Sequence, residues 1–374
     1  MNIVIKYLKI LEEYKMSNKV EFLYLQQEDC VKAGGYDMAG TMKATERSFF
    51  LHGKGDFMLP HKPVIRWGGP ETEETTGRIM SMPGFLGGLE YDEELKAKGL
   101  LGAVNTSGIK WIPSKPHNPK KHGLPRANAI IIIVDPETLM PDVIMDGALV
   151  SAMRTGAASG VAIKYLANPG AEVMGLVGAS VQGITQTHAF KCGAPSLKLC
   201  KVYDLNKETS EKFCERMKKE ITDMDFIAVD SAEEAFVGSD VISTATMAKA
   251  PYVDGKWYKK GAVHCEISFW DTPAEALTYV DHVVVDDFDA VSGHGVDVSY
   301  RAVRDGVIPR EKVTDLGQTV VGNIQVRKSK DDIIFFNPIG MGIHDLSEAH
   351  RVFTNAKEMG IGRTLPLWEN PILG

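Results

Sequence analysis

One stretch restricts the possible folds of this chain more than any other. It opens Glu172-Val173-Met174-Gly175-Leu176-Val177-Gly178-Ala179-Ser180-Val181-Gln182-Gly183, passes through a helical segment, and closes on Lys201-Val202-Tyr203-Asp204. An apolar run ending in a glycine turn, then a helix, then a second apolar run ending in a carboxylate is the order of strand, phosphate-binding turn, helix and ribose-binding acid. Gly178 would turn the chain tightly off the strand, and Gly183 would let the helix pack close to the sheet. The helix N-terminus would offer free N–H groups and partial positive charge to a pyrophosphate. Asp204 would accept hydrogen bonds from ribose hydroxyls and repel a 2′-phosphate, which favours NAD over NADP. Two details depart from G-x-G-x-x-G. Ser180 holds the second glycine position, and Asp204 stands 26 residues after Gly178 rather than about 20. The alternative reading of the same residues is a strand, turn and helix of a parallel sheet with no nucleotide.

The pattern around this stretch is regular. Strands are expected at 172–177, 198–203, 225–229, 240–244, 262–267 and 282–286, with helices such as Glu208 to Ile221 and Ala232 to Gly238 between them. Such alternation implies a parallel sheet covered by helices. Right-handed crossovers then place the strand C-termini, and a ligand, along one edge. Thr246 and Asp271 both follow strands on that edge. The first part of the chain lacks this alternation. It reads as strands at Val20 to Leu25, Pro63 to Trp67, Arg78 to Met82 (ended by Pro83-Gly84), Gly108 to Pro113 and Ala127 to Val134, with a helix from Asp37 to His52. Met145 to Ala167 reads as one long helix rich in alanine and glycine, whose small residues allow close packing. After Gly322 the alternation stops, and a strand at Ile333 to Phe336 and a helix at His344 to Glu358 are expected to rejoin the first part. The fold class is therefore α/β. A Rossmann dinucleotide-binding domain spans 147–322, and a mixed α+β domain for substrate binding and dimerisation is formed by 1–146 and 323–374.

Composition excludes several classes. A net charge of −7 over 374 residues gives no basic excess for nucleic acid or an anionic membrane. The longest wholly aliphatic run, Ile130 to Val134, is far short of a membrane span. Five cysteines (Cys30, Cys192, Cys200, Cys214, Cys265) show neither C-x-x-C nor zinc spacing, so no metal is expected, and reduced thiols in the cytoplasm are the default. Residues 1–15 read as a short amphipathic extension rather than a secretory signal, and Met16 opens a more ordinary N-terminus. There is no G-x-S-x-G, no G-x-x-x-x-G-K-[ST] and no H-E-x-x-H.

A nicotinamide enzyme acting on an amino acid needs cations for the α-carboxylate, a group that exchanges the amine proton, and a Cα–H aimed at the ring. Arg66, Lys110 and Arg154 are the candidate cations. Lys110 interrupts an apolar strand, where a lysine more often points to solvent. Arg154 lies in a small-residue helix, facing either solvent or a buried anion. Asp271, in Ser268-Phe269-Trp270-Asp271-Thr272-Pro273, is the candidate acid/base, and its other reading is a helix cap paired with Glu275.

Several stretches together resemble the ornithine cyclodeaminase/μ-crystallin family: Gly108-Ile109-Lys110-Trp111, Asp135-Pro136-Glu137-Thr138, Met153-Arg154-Thr155-Gly156-Ala157, the turn at Gly178, and Asn337-Pro338-Ile339-Gly340-Met341-Gly342. The similarity runs from about Leu23 to Leu365. Lys62-Pro63-Val64-Ile65-Arg66, Lys110-Trp111-Ile112-Pro113-Ser114-Lys115 and Pro125-Arg126-Ala127 are similar to the branch that oxidises N-(2-amino-2-carboxyethyl)-L-glutamate with NAD on the way to 2,3-diaminopropionate. The resemblance implies NAD as cofactor, a small amino-acid substrate and a homodimer. It implies Asp271 and Lys110 as catalytic groups, and Arg66, Lys110 and Arg154 on the substrate. Arg126, Arg154, Thr155, Gly178, Ala179, Ser180, Val181, Gln182, Asp204, Thr246, Ile267, Ser268 and Gly340 would hold the cofactor. Phe269-Trp270 replaces small residues common in cyclodeaminases, which argues against ornithine itself. Net dehydrogenation, cyclodeamination of ornithine to proline, imine reduction and a non-catalytic nucleotide-binding role all remain open at this point.

Overall fold

A computed structural model describes residues 19–67 and 77–372. The extension expected at 1–15 and nearly all of the acidic loop between Trp67 and Arg78 lie outside the described residues. Strands β1 (Val20–Leu25), β2 (Phe57–Met58), β3 (Val64–Trp67), β4 (Gly77–Leu86), β5 (Thr106–Ser114), β6 (Ile130–Val134) and β7 (Pro141–Asp146) precede the long helix. Strands β8 (Val173–Val177), β9 (Leu199–Tyr203), β10 (Asp225–Ala228), β11 (Val241–Thr244), β12 (Val263–Glu266), β13 (His282–Val285), β14 (Val313–Asp315), β15 (Ile334–Phe336) and β16 (Arg363–Trp368) follow it. The helices that matter for the site are α1 (Met38–Lys54), α2 (Gly147–Leu166), α3 (Val181–Gly193), α4 (Lys207–Glu220) and α5 (Gly342–Met359).

The strands form two sheets. One is mixed, in the order β16-β1-β7-β6-β5-β4-β2 with β3 also beside β4. The other runs β10-β9-β8-β11-β12-β15-β13-β14, and every pairing in it is parallel. The order reverses at β8, so the crevice outside its C-terminus is the place where such sheets bind ligand. All six strands expected between 172 and 286 are present within a residue or so of their expected ends.

The tail differs from expectation. Ile334–Phe336 does not rejoin the first part but enters the parallel sheet between β12 and β13, so the return to the mixed sheet comes after Phe336 and not at 323. All three of its residues are buried, and a run of three bulky apolar residues fits a strand buried on both faces. β4 also continues past Pro83. Between the segments paired to β3 and to β2, one side of β4 around Pro83 has no partner strand, so the missing N–H breaks no ladder there. Strands β7 and β16 have no counterpart in the sequence reading.

The small residues of α2 act as expected. A Cβ at Gly156 would stand 2.5 Å from the Thr185 carbonyl oxygen, and one at Gly160 would stand 2.8 Å from that of Ala189. Helices α2 and α3 therefore pack backbone to backbone. Helix α5 lies on the mixed sheet, with Leu346, Ala349 and Val352 packed among Leu25, Ile131 and Val143. A second cluster joins Phe49, Phe50 and Leu86 of the first part to Val161, Met174 and Phe336. Each such side chain contributes about 1.5–3 kcal/mol on burial, and the two sheets share one core.

Candidate active site

The site begins at the turn after β8. Gly178 has φ +103°, and a Cβ there would meet the Ala245 carbonyl oxygen at 2.7 Å, so only glycine fits. Gly183 sits 2.5 Å, measured from its missing Cβ, from the Gly178 carbonyl oxygen. Ser180 is the N-cap of α3, exposed, and its hydroxyl caps nothing, so it does not crowd the turn. The first-turn amides of Val181, Gln182 and Gly183 have no helical partners. Asp204 closes the turn: Ala179 N donates to its Oδ2 at 3.0 Å and Asn206 N to its Oδ1 at 3.1 Å. Parallel pairing of β8 with β9 brings Asp204 to the turn whatever the length of the intervening helix, so the 26-residue spacing is harmless. Residual acceptor capacity on Asp204, a positive-φ glycine and free amides make a cradle that fits a dinucleotide.

Thr246 follows β11 and Asp271 follows β12. The Thr246 hydroxyl donates to Asp271 Oδ1 in a short hydrogen bond, and Thr246 N donates to Oδ2 at 3.3 Å. Asp271 is fully buried. It caps no helix: the short turn beyond it starts at Ala274 with Pro273 in the cap position. Behind it stand Tyr252 and the buried Glu266, whose carboxyl is pushed well above the usual range by burial. Ile267 N donates to the Thr244 carbonyl at 2.9 Å, and the buried Ser268 hydroxyl has no partner among the described residues.

The cations lie across the crevice. Lys110, on β5, is 1 % exposed and points inward, not to solvent. Its Nζ donates to both oxygens of Asp345 at 2.9 Å and to Ser151 Oγ at 3.1 Å. Arg154 Nε donates to Asp345 Oδ1 at 2.9 Å, so the buried-anion reading of Arg154 holds. The anion is Asp345, in the first turn of α5, where the helix dipole favours a carboxylate. Arg154 turns its Nη groups toward the loop after β15: a Cβ at Gly340 would stand 2.5 Å from Nη1. That loop is tied down by Asp286, which accepts from Ile339 N at 3.1 Å and Gly340 N at 2.6 Å. Lys62 Nζ donates to the Ile339 carbonyl at 2.9 Å.

Burial dominates the electrostatics. It lowers Lys110 to about 7, helped by Arg154 and opposed by Asp345. It lowers Lys62 to about 8 against the pull of Asp286. It raises Asp286 to about 6 against the pull of Lys62. His344, hydrogen-bonded to Ser48 Oγ at 2.6 Å, is held neutral by burial and by Arg154.

The expected residues therefore fall into three groups. Lys110 and Arg154 meet on Asp345. Asp271, Thr246 and the Gly178 turn meet at the ends of β12, β11 and β8. Arg154 reaches the loop after β15 and Thr246 the loop after β11, two strands apart, which is about 10 Å. Arg66 and Arg126 form the third group, on the exposed rim, with Arg126 Nη1 2.9 Å from Met247 Sδ. The Thr155 hydroxyl is used within its own helix, donating to the Ser151 carbonyl at 2.7 Å. Gly340 packs on Arg154. Sequence reasoning missed Lys62, Asp286, His344 and Asp345 as members of the site. The available signal was the position of Asp345 three residues after the Asn337 to Gly342 motif, but an acid in a first helical turn reads as dipole complement.

Among the described residues no group of three His, Cys, Asp or Glu side chains could hold a metal ion, and the five cysteines are unpaired. No helix of the described residues is long and apolar enough to cross a membrane.

A parallel sheet with a glycine turn and an acid beside it, together with Lys110 of the mixed sheet and Arg154 of α2 buried on one carboxylate, defines a dinucleotide-binding protein built on two sheets. The profile of the ornithine cyclodeaminase/mu-crystallin family matches residues 35–360, and the chain belongs to that family. It is 34% identical over 93% of its length to the N-((2S)-2-amino-2-carboxyethyl)-L-glutamate dehydrogenase of Staphylococcus aureus, covering 99% of that protein. Among solved structures it resembles the Δ1-pyrroline-2-carboxylate reductase of Thermococcus litoralis, in complex with NADH and L-proline, with TM-score 0.79 and 30% identity, covering 91% of this chain and 99% of that one. It also resembles an archaeal alanine dehydrogenase dimer with bound NAD, with TM-score 0.77 and 28% identity, covering 93% of this chain and 100% of that one.

Proposed function

We propose that this chain is an NAD-dependent dehydrogenase that oxidises an N-substituted amino acid at Cα to an imine, which water then opens. The observation that carries the reading is that Asp271, held by Thr246 beside the Gly178 turn, follows β12, the strand next to the β15 whose following loop Arg154 reaches. Bound NAD would supply the acceptor for the hydride of Cα. Gly178 to Gln182 would hold its pyrophosphate and Asp204 its ribose. Arg154, Thr155, Thr246, Ile267, Ser268 and Gly340 would border the rest. Arg154 has Nη donors that Asp345 leaves free and would orient the substrate's α-carboxylate, with Arg66 on another acid group of the same substrate. Lys110 has all its donors engaged, and with its ammonium lowered to about 7 it is suited to exchange a proton near neutrality. Asp271 would take the amine proton. The 34% identity to a dehydrogenase of an N-carboxyalkyl amino acid supports this substrate class over free ornithine. The likeness to a pyrroline-carboxylate reductase makes imine reduction the second reading, through the same residues.

We further propose a homodimer, as in the archaeal relative, built on the outer face of the mixed sheet, where Ile65, Trp111 and Ile130 are exposed. The unpaired thiols suit the cytoplasm. The test is NADH absorbance on adding N-(2-amino-2-carboxyethyl)-L-glutamate and NAD. NADH should accumulate; turnover with no net NADH would instead mean cyclodeamination. Asp271→Asn should slow turnover about 10²- to 10⁴-fold with NAD binding retained, and unchanged turnover would remove Asp271 from its role.

A further inference from the structure

We infer that Arg66, Arg78 and Arg126 form a second carboxylate site, for an acid group that the substrate carries away from its reacting carbon. The inference rests on the dehydrogenase reading above and adds the substrate's shape to it.

The placement follows from register. Arg66 on β3 stands directly opposite Arg78 on β4, and Arg78 stands opposite Ser114 on β5. Opposed residues share a face of an antiparallel sheet, and Ser114 shares its face with Lys110 because four residues separate them. The arginine row is thus on the same side of the sheet as the buried lysine, about 13 Å further along the strands. Arg126 joins the row through the strand ends: Ser114 bridges to Ala127, and Lys115 N donates to the Arg126 carbonyl at 2.8 Å. Its guanidinium lies against Met247, the residue after the Thr246 that holds Asp271. Through Met247 and Thr246, Arg126 links the arginine row to the loop that holds Asp271.

A concavity of about 90 Å³ lies beside two of the three, with Arg78 and Arg126 in its wall together with Trp67 and Lys115. It has the size of a carboxylate and its hydration. The ion pairs among the described residues include none from Arg66, Arg78 or Arg126, in contrast to Lys110 and Arg154, which share Asp345. Like charge collects here with no counter-ion among the described residues: burial lowers Arg78 from its usual range, and Arg126 and Arg66 lower it further. Three guanidinium groups held together in this way favour an anion with planar oxygen geometry. Alanine has no second carboxylate to place there and ornithine carries a cation, which the arginines would repel. An N-carboxyalkyl dicarboxylic amino acid satisfies both ends.

The test compares N-(2-amino-2-carboxyethyl)-L-glutamate with its γ-amide as substrates of the NAD-loaded enzyme. Wild type should favour the acid in kcat/KM. Arg78→Gln should reduce that preference by about tenfold or more, as loss of a charged hydrogen bond does, and Arg78→Lys should recover part of it. An unchanged preference in Arg78→Gln overturns the inference. The segment between β3 and β4 carries Glu71, Glu73 and Glu74. Were these acids the partners of the arginines, Arg78→Gln would lower Tm and leave the preference alone, which also overturns it. If wild type makes no NADH from either compound, the dehydrogenase reading falls, and calorimetric titration decides the site separately. Glutarate should then bind wild type more tightly than Arg78→Gln by about tenfold, with butyrate as the monocarboxylate control; equal glutarate binding in the two proteins sinks the site.

Discussion

The two walls of the cleft bury charge in opposite ways. On the parallel-sheet side, Asp204 and Asp271 are satisfied by donors 25 residues away in sequence, on neighbouring strand ends. On the mixed-sheet side, Lys110 and Arg154 are satisfied by Asp345, 235 and 191 residues away. The first wall is assembled by one repeated β-α unit. The second exists only when α5 docks on the mixed sheet. A buried ion pair is weak evidence of net stability, but breaking one leaves an uncompensated charge. The cation wall should therefore be the more fragile and the nucleotide wall the more tolerant.

Asp345→Ala probes that contrast most strongly. It leaves Lys110 and Arg154 buried without an anion and should cost about 3–5 kcal/mol, read as a lowered urea midpoint. A loss no greater than that of a surface substitution would show that water or Ser151 replaces the carboxylate. Asp204→Ala should leave stability nearly unchanged and weaken NAD by about 1.5–3 kcal/mol, narrowing the gap to NADP. A fully retained preference for NAD over NADP would take Asp204 out of the ribose site. Gly178→Ala should cost about 1–3 kcal/mol through its positive φ and raise the dissociation constant for NAD in calorimetry, since the Ala245 carbonyl blocks the added methyl.

The smallest effect concerns pH. Lys110 has a folded value of about 7, below its ordinary 10.5, so between those values the unfolded chain holds the proton and the folded chain does not. Stability contributed by this group rises with pH across that window and is lost as pH falls toward 7. Raising pH from 7 to 8 should add at most about 1.4 kcal/mol in wild type, and Lys110→Met should remove that increment. Equal slopes in the two proteins would mean that Lys110 stays charged on Asp345.

These contrasts follow how far each region could be read from its residues. The strands from 172 to 286 were legible because each is a short apolar run between helical segments, and a parallel strand buried on both faces carries its signal locally. β15 was expected in the mixed sheet and lies in the parallel one, since three apolar residues after a loop do not say which sheet they enter. Lys110 was harder still. Its neighbours Ile109 and Trp111 suggest an inward apolar face, yet Trp111 is 39% exposed and the lysine is buried. The inward side is chosen by Asp345, which no local pattern connects to β5.

From its residues alone the chain determined the glycine turn, the acid beside it, the alternation that makes a parallel sheet, and the small-residue helix that packs against it. Each of these rests on backbone sterics and periodicity within a few dozen residues. Tertiary structure decided that β15 is inserted between β12 and β13, that Lys110 and Arg154 share Asp345, and that Arg66, Arg78 and Arg126 gather on the cleft side of the mixed sheet. Those outcomes depend on which distant groups must compensate one another once water is excluded, and that requirement appears only when the two sheets close on a common core.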